Sequence, residues 1–305
     1  MWTRYYSHGK LLLTGEYTVL DGSLSLALPT AFGQELKVQQ QKNANLNWAS
    51  FDDKEEIWFQ AVFDLENLQP AIPRNVDSAP LAHRLSTILK KARDLNPEFL
   101  KINGGIQVET RMDFNRHWGL GSSSTLINNI AQWAGIDPYH LQYSTFGGSG
   151  YDIACAVHAK PLLFHLESDQ PCVSEIVFDP PFKEQLFFVY LNRKQDSREG
   201  IRRYRALDAA KPELIAEISS ISRKLIRCDQ LKEFQELLTA HEILMASTLQ
   251  LTRVQDELFP EYNGVVKSLG AWGGDFVLAA SEYEDRDYFH HKGYKTVLAY
   301  NEMVL

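Results

Sequence analysis

The sequence predicts an α+β protein. Its first hundred residues read mostly as strands, and later strands and helices mix without a regular βα rhythm. The C-terminal part carries two long helical patterns followed by short strand-like runs.

Taken in order, residues 10–20 are apolar with small breaks, 24–28 are apolar, and 35–40 alternate. Asp21-Gly22 is a turn signal between the first two runs. Residues 79–95 place Leu81, Leu85, Ile88, Leu89 and Ala92 at helical spacing. Gly104-Gly105 turns the chain into a strand over 105–112, and a helix is expected over 126–134. Asp137-Pro138 reads as an N-cap with proline at the first helical position, giving a helix to Thr145 that ends at Gly147-Gly148. Another helix starts after Gly150, and residues 161–165 and 186–191 read as strands. Residues 169–181, with three prolines, read as a hinge, so two domains are expected, 1–170 and 171–305. Helices over 212–226 and 230–250, a short helix over 260–267, and strands over 276–280 and 296–300 complete the reading.

The 305 residues suffice for one large or two moderate domains. A net charge of −8 argues against broad nucleic-acid binding, which needs a basic surface. Cys155, Cys172 and Cys228 have no metal-like spacing and read as reduced, buried thiols. The N-terminus lacks a basic stretch followed by an apolar core, and no apolar run approaches a bilayer span of ~20 residues. The expectation is a cytoplasmic protein, monomer or homodimer, with neither nucleic acid nor membrane as partner.

The stretch His117-Trp118-Gly119-Leu120-Gly121-Ser122-Ser123-Ser124-Thr125 joins the expected strand to the expected helix. Glycine lets backbone approach a ligand, and the first amides of a helix lack internal partners and face an anion with the positive end of the dipole. It reads as a phosphate cradle. Three further segments belong with it: Ser7-His8-Gly9-Lys10-Leu11-Leu12-Leu13-Thr14-Gly15-Glu16, Gly147-Gly148-Ser149-Gly150-Tyr151-Asp152-Ile153-Ala154, and Lys267-Ser268-Leu269-Gly270-Ala271-Trp272-Gly273-Gly274-Asp275.

Together these segments resemble the GHMP kinase superfamily over roughly the full chain, and Gly-Tyr-Asp-Ile-Ala is similar to the GYDIA-family kinases. The Ser-Gly-Tyr-Asp-Ile-Ala and Gly-Gly-Asp strings also resemble phosphomevalonate kinases, and the first segment resembles both mevalonate and phosphomevalonate kinases. The resemblance implies a two-lobed fold: an N-terminal lobe like domain 2 of ribosomal protein S5 and a ferredoxin-like C-terminal lobe, with ATP and Mg²⁺ held in the cleft. It implies transfer of the γ-phosphate to a small acidic alcohol or its phosphate, in a mevalonate-pathway-like reaction. Diphosphomevalonate decarboxylation, and a non-catalytic nucleotide-binding member of the family, are the alternatives.

By the same resemblance, Asp152 accepts or orients the acceptor's proton and Lys10 neighbours it. Gly119, Leu120, Gly121, Ser122, Ser123, Ser124, Gly273 and Gly274 meet the nucleotide. One of Ser123 and Ser122 coordinates Mg²⁺. His8, Glu16, Ser149 and Gly150 are substrate candidates. Arg193, Lys194, Ser197 and Arg198 follow the strand over 186–191 and suit a carboxylate or phosphate. The chain departs from the family pattern at His117, Trp118 and Trp272. Where mevalonate kinases carry a glutamate upstream of the aspartate, it has Leu141.

Overall fold

A computed structural model describes residues 1–71, 78–193, 197–207, 212–270, 272–283 and 286–305. The chain divides into two compact units interleaved in sequence. The first holds Met1–Gly9, Phe32–Arg116 and Gly121–Val157; the second holds Lys10–Ala31, His117–Leu120 and His158–Leu305.

Strand β1 (Thr3–Leu12) is followed by a 3₁₀ turn at Thr18–Asp21 and a long strand β2 (Ser25–Gln41). Of the expected strand over 10–20, only residues 10–12 belong to β1; the rest is loop and turn. The two expected strands at 24–28 and 35–40 are one, because Pro29 and Gly33 lie within a continuous extended chain. In the first unit, β3 (Asn45–Phe51), β4 (Ile57–Asp64) and β5 (Gly105–Met112) continue from β2 in the order β4-β3-β5-β2. Only β3 and β5 run parallel; the other pairs are antiparallel.

Helices α1 (Ala79–Leu95), α2 (Ser122–Ala134) and α3 (Pro138–Thr145) pack on one another. Leu85, Leu89, Ile127 and Ile130 from these helices meet Leu36, Leu46 and Val108 from the strands in one apolar core. Burying each such side chain stabilises the unit by roughly 1.5–3 kcal/mol. Helix α2 stops at Gly135, whose left-handed backbone closes the last turn. Helix α3 starts as its sequence dictates: the Asp137 carboxylate accepts from the Tyr139 amide at 2.7 Å. Helix α4 (Tyr151–His158) follows.

In the second unit, β6 (Leu162–Glu167) pairs with the start of β2, and β7 (Gln170–Glu175) pairs with β6 along its length. Residues 170–175 are thus a hairpin strand and not an open hinge. A separate antiparallel sheet has the order β11-β8-β10-β9. Its strands are β8 (Leu186–Tyr190), β9 (Val265–Ser268), β10 (Phe276–Ala280) and β11 (Val297–Ala299). Helices α5 (Ser197–Arg205), α6 (Pro212–Leu225), α7 (Leu231–Leu249), α8 (Val254–Leu258), α9 (Arg286–His291) and α10 (Tyr300–Met303) complete it. The expected helix over 260–267 is replaced by α8 and strand β9, since Val265 and Val266 pair with Ala280 and Ala279. Among the described residues, no helix is long and apolar enough to cross a membrane.

Candidate active site

In the first unit, polar anchors position the start of α2. Thr125 donates to Gln34 Oε1 at 2.8 Å, and Asn129 donates to the Gln34 carbonyl at 2.8 Å. Ser7 bridges the helix: its hydroxyl donates to Asn129 at 2.7 Å and accepts from Asn128 at 2.9 Å. These groups are buried and paired, so they hold the helix start in one place. Gly121 occupies the N-cap position in a left-handed conformation, with no side-chain cap on the helix.

Of the three serines, Ser124 is buried and its hydroxyl donates back to the Gly121 carbonyl at 2.9 Å. This corrects the expectation for its side chain, though its amide remains at the helix start. Ser123 is exposed and Ser122 half-buried. Both line a cavity of about 120 Å³ together with Trp48, Trp58, Ile88 and Met112. Trp58 Nε1 is buried in that region with no hydrogen-bond partner among the described residues, and the Arg116 guanidinium lies over its ring at 5.3 Å.

Asp152 is half-buried in the first turn of α4, and its Oδ1 accepts from the Ile153 amide at 3.1 Å. Gly150 precedes it with φ +91°, and a Cβ there would lie 2.9 Å from the Tyr143 hydroxyl. No other residue type suits both constraints. Tyr143 donates to the Ser149 carbonyl at 3.1 Å, and Ser149 itself is buried. Burial raises the Tyr143 and Tyr139 phenols above their ordinary range, and the charge of Asp152 adds to both. His8 is half-buried with its ring edge-on to Tyr6. Leu141 is fully buried in the core, so no carboxylate occupies its position.

In the second unit, residues from three of the predicted segments meet. Lys10 Nζ donates to the Gly119 carbonyl at 2.9 Å, and the Lys10 amide donates to the Leu120 carbonyl at 2.9 Å. Gly119 has φ +69°, and a Cβ there would fall 2.2 Å from an oxygen of Asp275. The Asp275 amide in turn donates to the Arg193 carbonyl at 2.7 Å. Lys10, Gly119, Asp275 and Arg193 form one continuous contact chain. No role for Asp275 is legible in sequence, since Gly119 lies more than a hundred residues away along the chain. Gly273 is half-buried and Gly274 buried in the loop before it.

One further expectation is corrected. Glu16 does not face a ligand: it is 1% exposed, and its carboxylate accepts from the Lys267 ammonium. His241 Nε2 lies 3.1 Å from both the Gly15 amide and Glu16 Oε2, and the Glu242 carboxyl lies 4.0 Å from Lys267. Burial opposes a charged Glu16, but Lys267 and then His241 outweigh it and hold the carboxyl below its usual range. Burial and the Lys267 charge push His241 down, against the pull of Glu16. Burial pushes Glu242 up to about 8. The cluster therefore seals one ammonium, one imidazole and two carboxyls away from solvent.

Trp272, one of the departures from the family pattern, packs with Tyr17, Tyr204, Ile218, Met245 and Leu249 in a buried cluster. Trp118 packs edge-on to Phe276 and beside Tyr190. Arg193 is exposed. Lys194 lies outside the described residues, and Ser197 and Arg198 are described only as the start of α5.

Neither a family model nor a curated protein matches the chain by sequence. Solved structures do match. The mevalonate kinase of Methanococcus jannaschii is 15% identical with a TM-score of 0.71, covering 98% of this chain and 97% of that one. The phosphomevalonate kinase of Streptococcus pneumoniae, solved with phosphomevalonate and AMPPNP, is 14% identical with a TM-score of 0.72, covering 97% and 99%. The galactokinase of Lactococcus lactis, complexed with galactose, is 12% identical with a TM-score of 0.68, covering 100% and 93%. The chain has the GHMP kinase fold. Those neighbours were solved with ligands as different as galactose and phosphomevalonate, so a substrate must be argued from the site and not from the fold.

Proposed function

We propose that this protein is an ATP- and Mg²⁺-dependent kinase that phosphorylates a small acidic alcohol or its phosphate, in the manner of a mevalonate or phosphomevalonate kinase. One observation carries the reading: Ser122 and Ser123 open a firmly anchored helix at the rim of an aromatic cavity. Helix-start amides and hydroxyls suit phosphates, and a cavity walled by Trp48 and Trp58 suits a nucleoside base.

Phosphoryl transfer asks a protein for alignment and charge stabilisation. The acceptor oxygen forms a bond to the γ-phosphorus, the bond to the β-phosphate oxygen breaks, and the acceptor's proton departs. Asp152 takes or orients that proton. Lys10, tied to the Gly119 carbonyl, adds positive charge beside the glycine turn. The exposed Ser123 and half-buried Ser122 offer hydroxyl oxygens, and Mg²⁺ accepts such a sparse set because it keeps several waters. When bound, the ion neutralises charge on the phosphates. Arg193 suits an acidic acceptor.

The burial of Trp272 in an apolar cluster removes one reason to read the chain as a degenerate binder. The deciding experiment is an ATP-consumption screen with Mg²⁺ against mevalonate, phosphomevalonate, homoserine and hexoses, with product analysis for carbon dioxide. Turnover with an acidic acceptor and no carbon dioxide is expected. Nucleotide binding without turnover on any acceptor would overturn the reading.

A further inference from the structure

We propose that the β6–β7 hairpin carries a binding site for a zinc-class divalent metal, formed by His165, Glu167 and Cys172. A ligand atom from each lies within 4.8 Å of the other two. The hairpin's register explains why. His165 and Cys172 are direct cross-strand partners, and Glu167 lies two residues beyond His165. Alternation therefore puts all three side chains on one face, and directly opposed Cβ atoms stand ~5 Å apart. The neighbours Leu162 and Phe164 are fully buried on the other face.

The turn sets this register. Ser168 and Asp169 are both left-handed, with φ +49° and +62°. That is the backbone of a two-residue turn matched to strand twist, which fixes pairing and limits slippage. The Cys172 sulfur already lies 3.8 Å from Glu167 Oε2. His165 and Cys172 are half-buried and Glu167 is exposed, so an ion reaches the trio from solvent.

The donor set selects the metal. One thiolate, one imidazole and one carboxylate are the ligands zinc accepts in tetrahedral sites, with a water completing the fourth position. Mg²⁺ and Ca²⁺ require oxygen-rich shells and do not compete for the sulfur. Binding joins the edge strand β7 to β6 at a second kind of bond and releases the thiol proton. The trio shares no residue with Lys10, Asp152, Ser122 or Ser123, so its test stands apart from the kinase reading.

The test uses the full-length, chelator-treated, reduced protein titrated with Co²⁺ and then Zn²⁺. One Co²⁺ per chain is expected, with a sulfur-to-cobalt charge-transfer band that Zn²⁺ bleaches. Cys172→Ser should abolish the band, while Cys228→Ser leaves it intact. His165→Ala should weaken zinc retention by about tenfold or more. Zn²⁺ should raise the melting temperature of the parent protein but not of Cys172→Ser. Since Cys172 is only half-buried, that variant should fold, which its metal-free melt reports. Absence of the charge-transfer band in the parent protein, or its persistence in Cys172→Ser, would overturn the proposal.

Discussion

The Lys267 ammonium rests on the Glu16 carboxylate, and both side chains are fully sealed from solvent. The two residues are 251 positions apart, one beside the first glycine-bearing segment and one at the head of the last. Their pairing ties those segments together inside one unit, and His241 and Glu242 complete the cluster.

Breaking this pair should be costly. Glu16→Gln or Lys267→Met leaves the other charge buried without its main partner, a loss of about 3–5 kcal/mol. Replacing both together should recover a large part of it. Urea denaturation of the two single variants and the double variant measures this coupling. Single variants within about 1 kcal/mol of the parent would show that the pair is not a buried ion pair.

The cluster also sets a pH dependence. Folded Glu242 keeps its proton up to about 8, whereas the unfolded chain releases it near the ordinary glutamate value. Between those values the folded state holds the extra proton, so stability falls as pH rises and levels off above about 8. Glu16 and His241 act in the opposite sense, because their folded values are lowered; their contributions are lost on acidification. Urea midpoints at about pH 6 and about pH 8 should differ less in Glu242→Gln than in the parent. An identical slope in both would place the titration elsewhere.

Gly119 should tolerate no side chain. Its positive φ and the Asp275 carboxylate both oppose a Cβ. Gly119→Ala should cost about 1–3 kcal/mol and reduce turnover through the displaced Lys10 contact. In an Asp275→Gly background the same substitution should cost less, because only the backbone strain remains. Thermal melts of the four proteins test this. Additive effects would separate Gly119 from Asp275.

Trp58 should contribute to nucleotide affinity. Trp58→Ala removes an aromatic wall of the cavity beside Ser122 and Ser123. ADP binding should weaken about tenfold, or about 1.4 kcal/mol, read by calorimetry. An unchanged Kd would move the base elsewhere.

Local chemistry was the legible part of this sequence. The Asp137-Pro138 start of α3 and the glycine–serine turn both depend on neighbours within a few residues. Strand β2 shows in sequence as two separate runs, yet the chain stays extended through Pro29 between them. Strand β7 was hidden by prolines and polar residues, which an edge strand tolerates. Glu16 looked like a ligand contact because its partner Lys267 lies at the far end of the chain. The place of Trp272 is not legible in sequence, because the apolar cluster that receives it is assembled from Tyr17, Tyr204 and α6 and α7. Cys172 showed no ligand spacing because its partner is defined by strand register and not by sequence distance.

The most direct test of the kinase account is Asp152→Ala, with nucleotide affinity and phosphoryl transfer measured on the same preparation. The account predicts an ADP affinity close to that of the parent protein and transfer to the acceptor reduced by about a hundredfold or more. Transfer at the parent rate would remove Asp152 from the reaction and contradict the account.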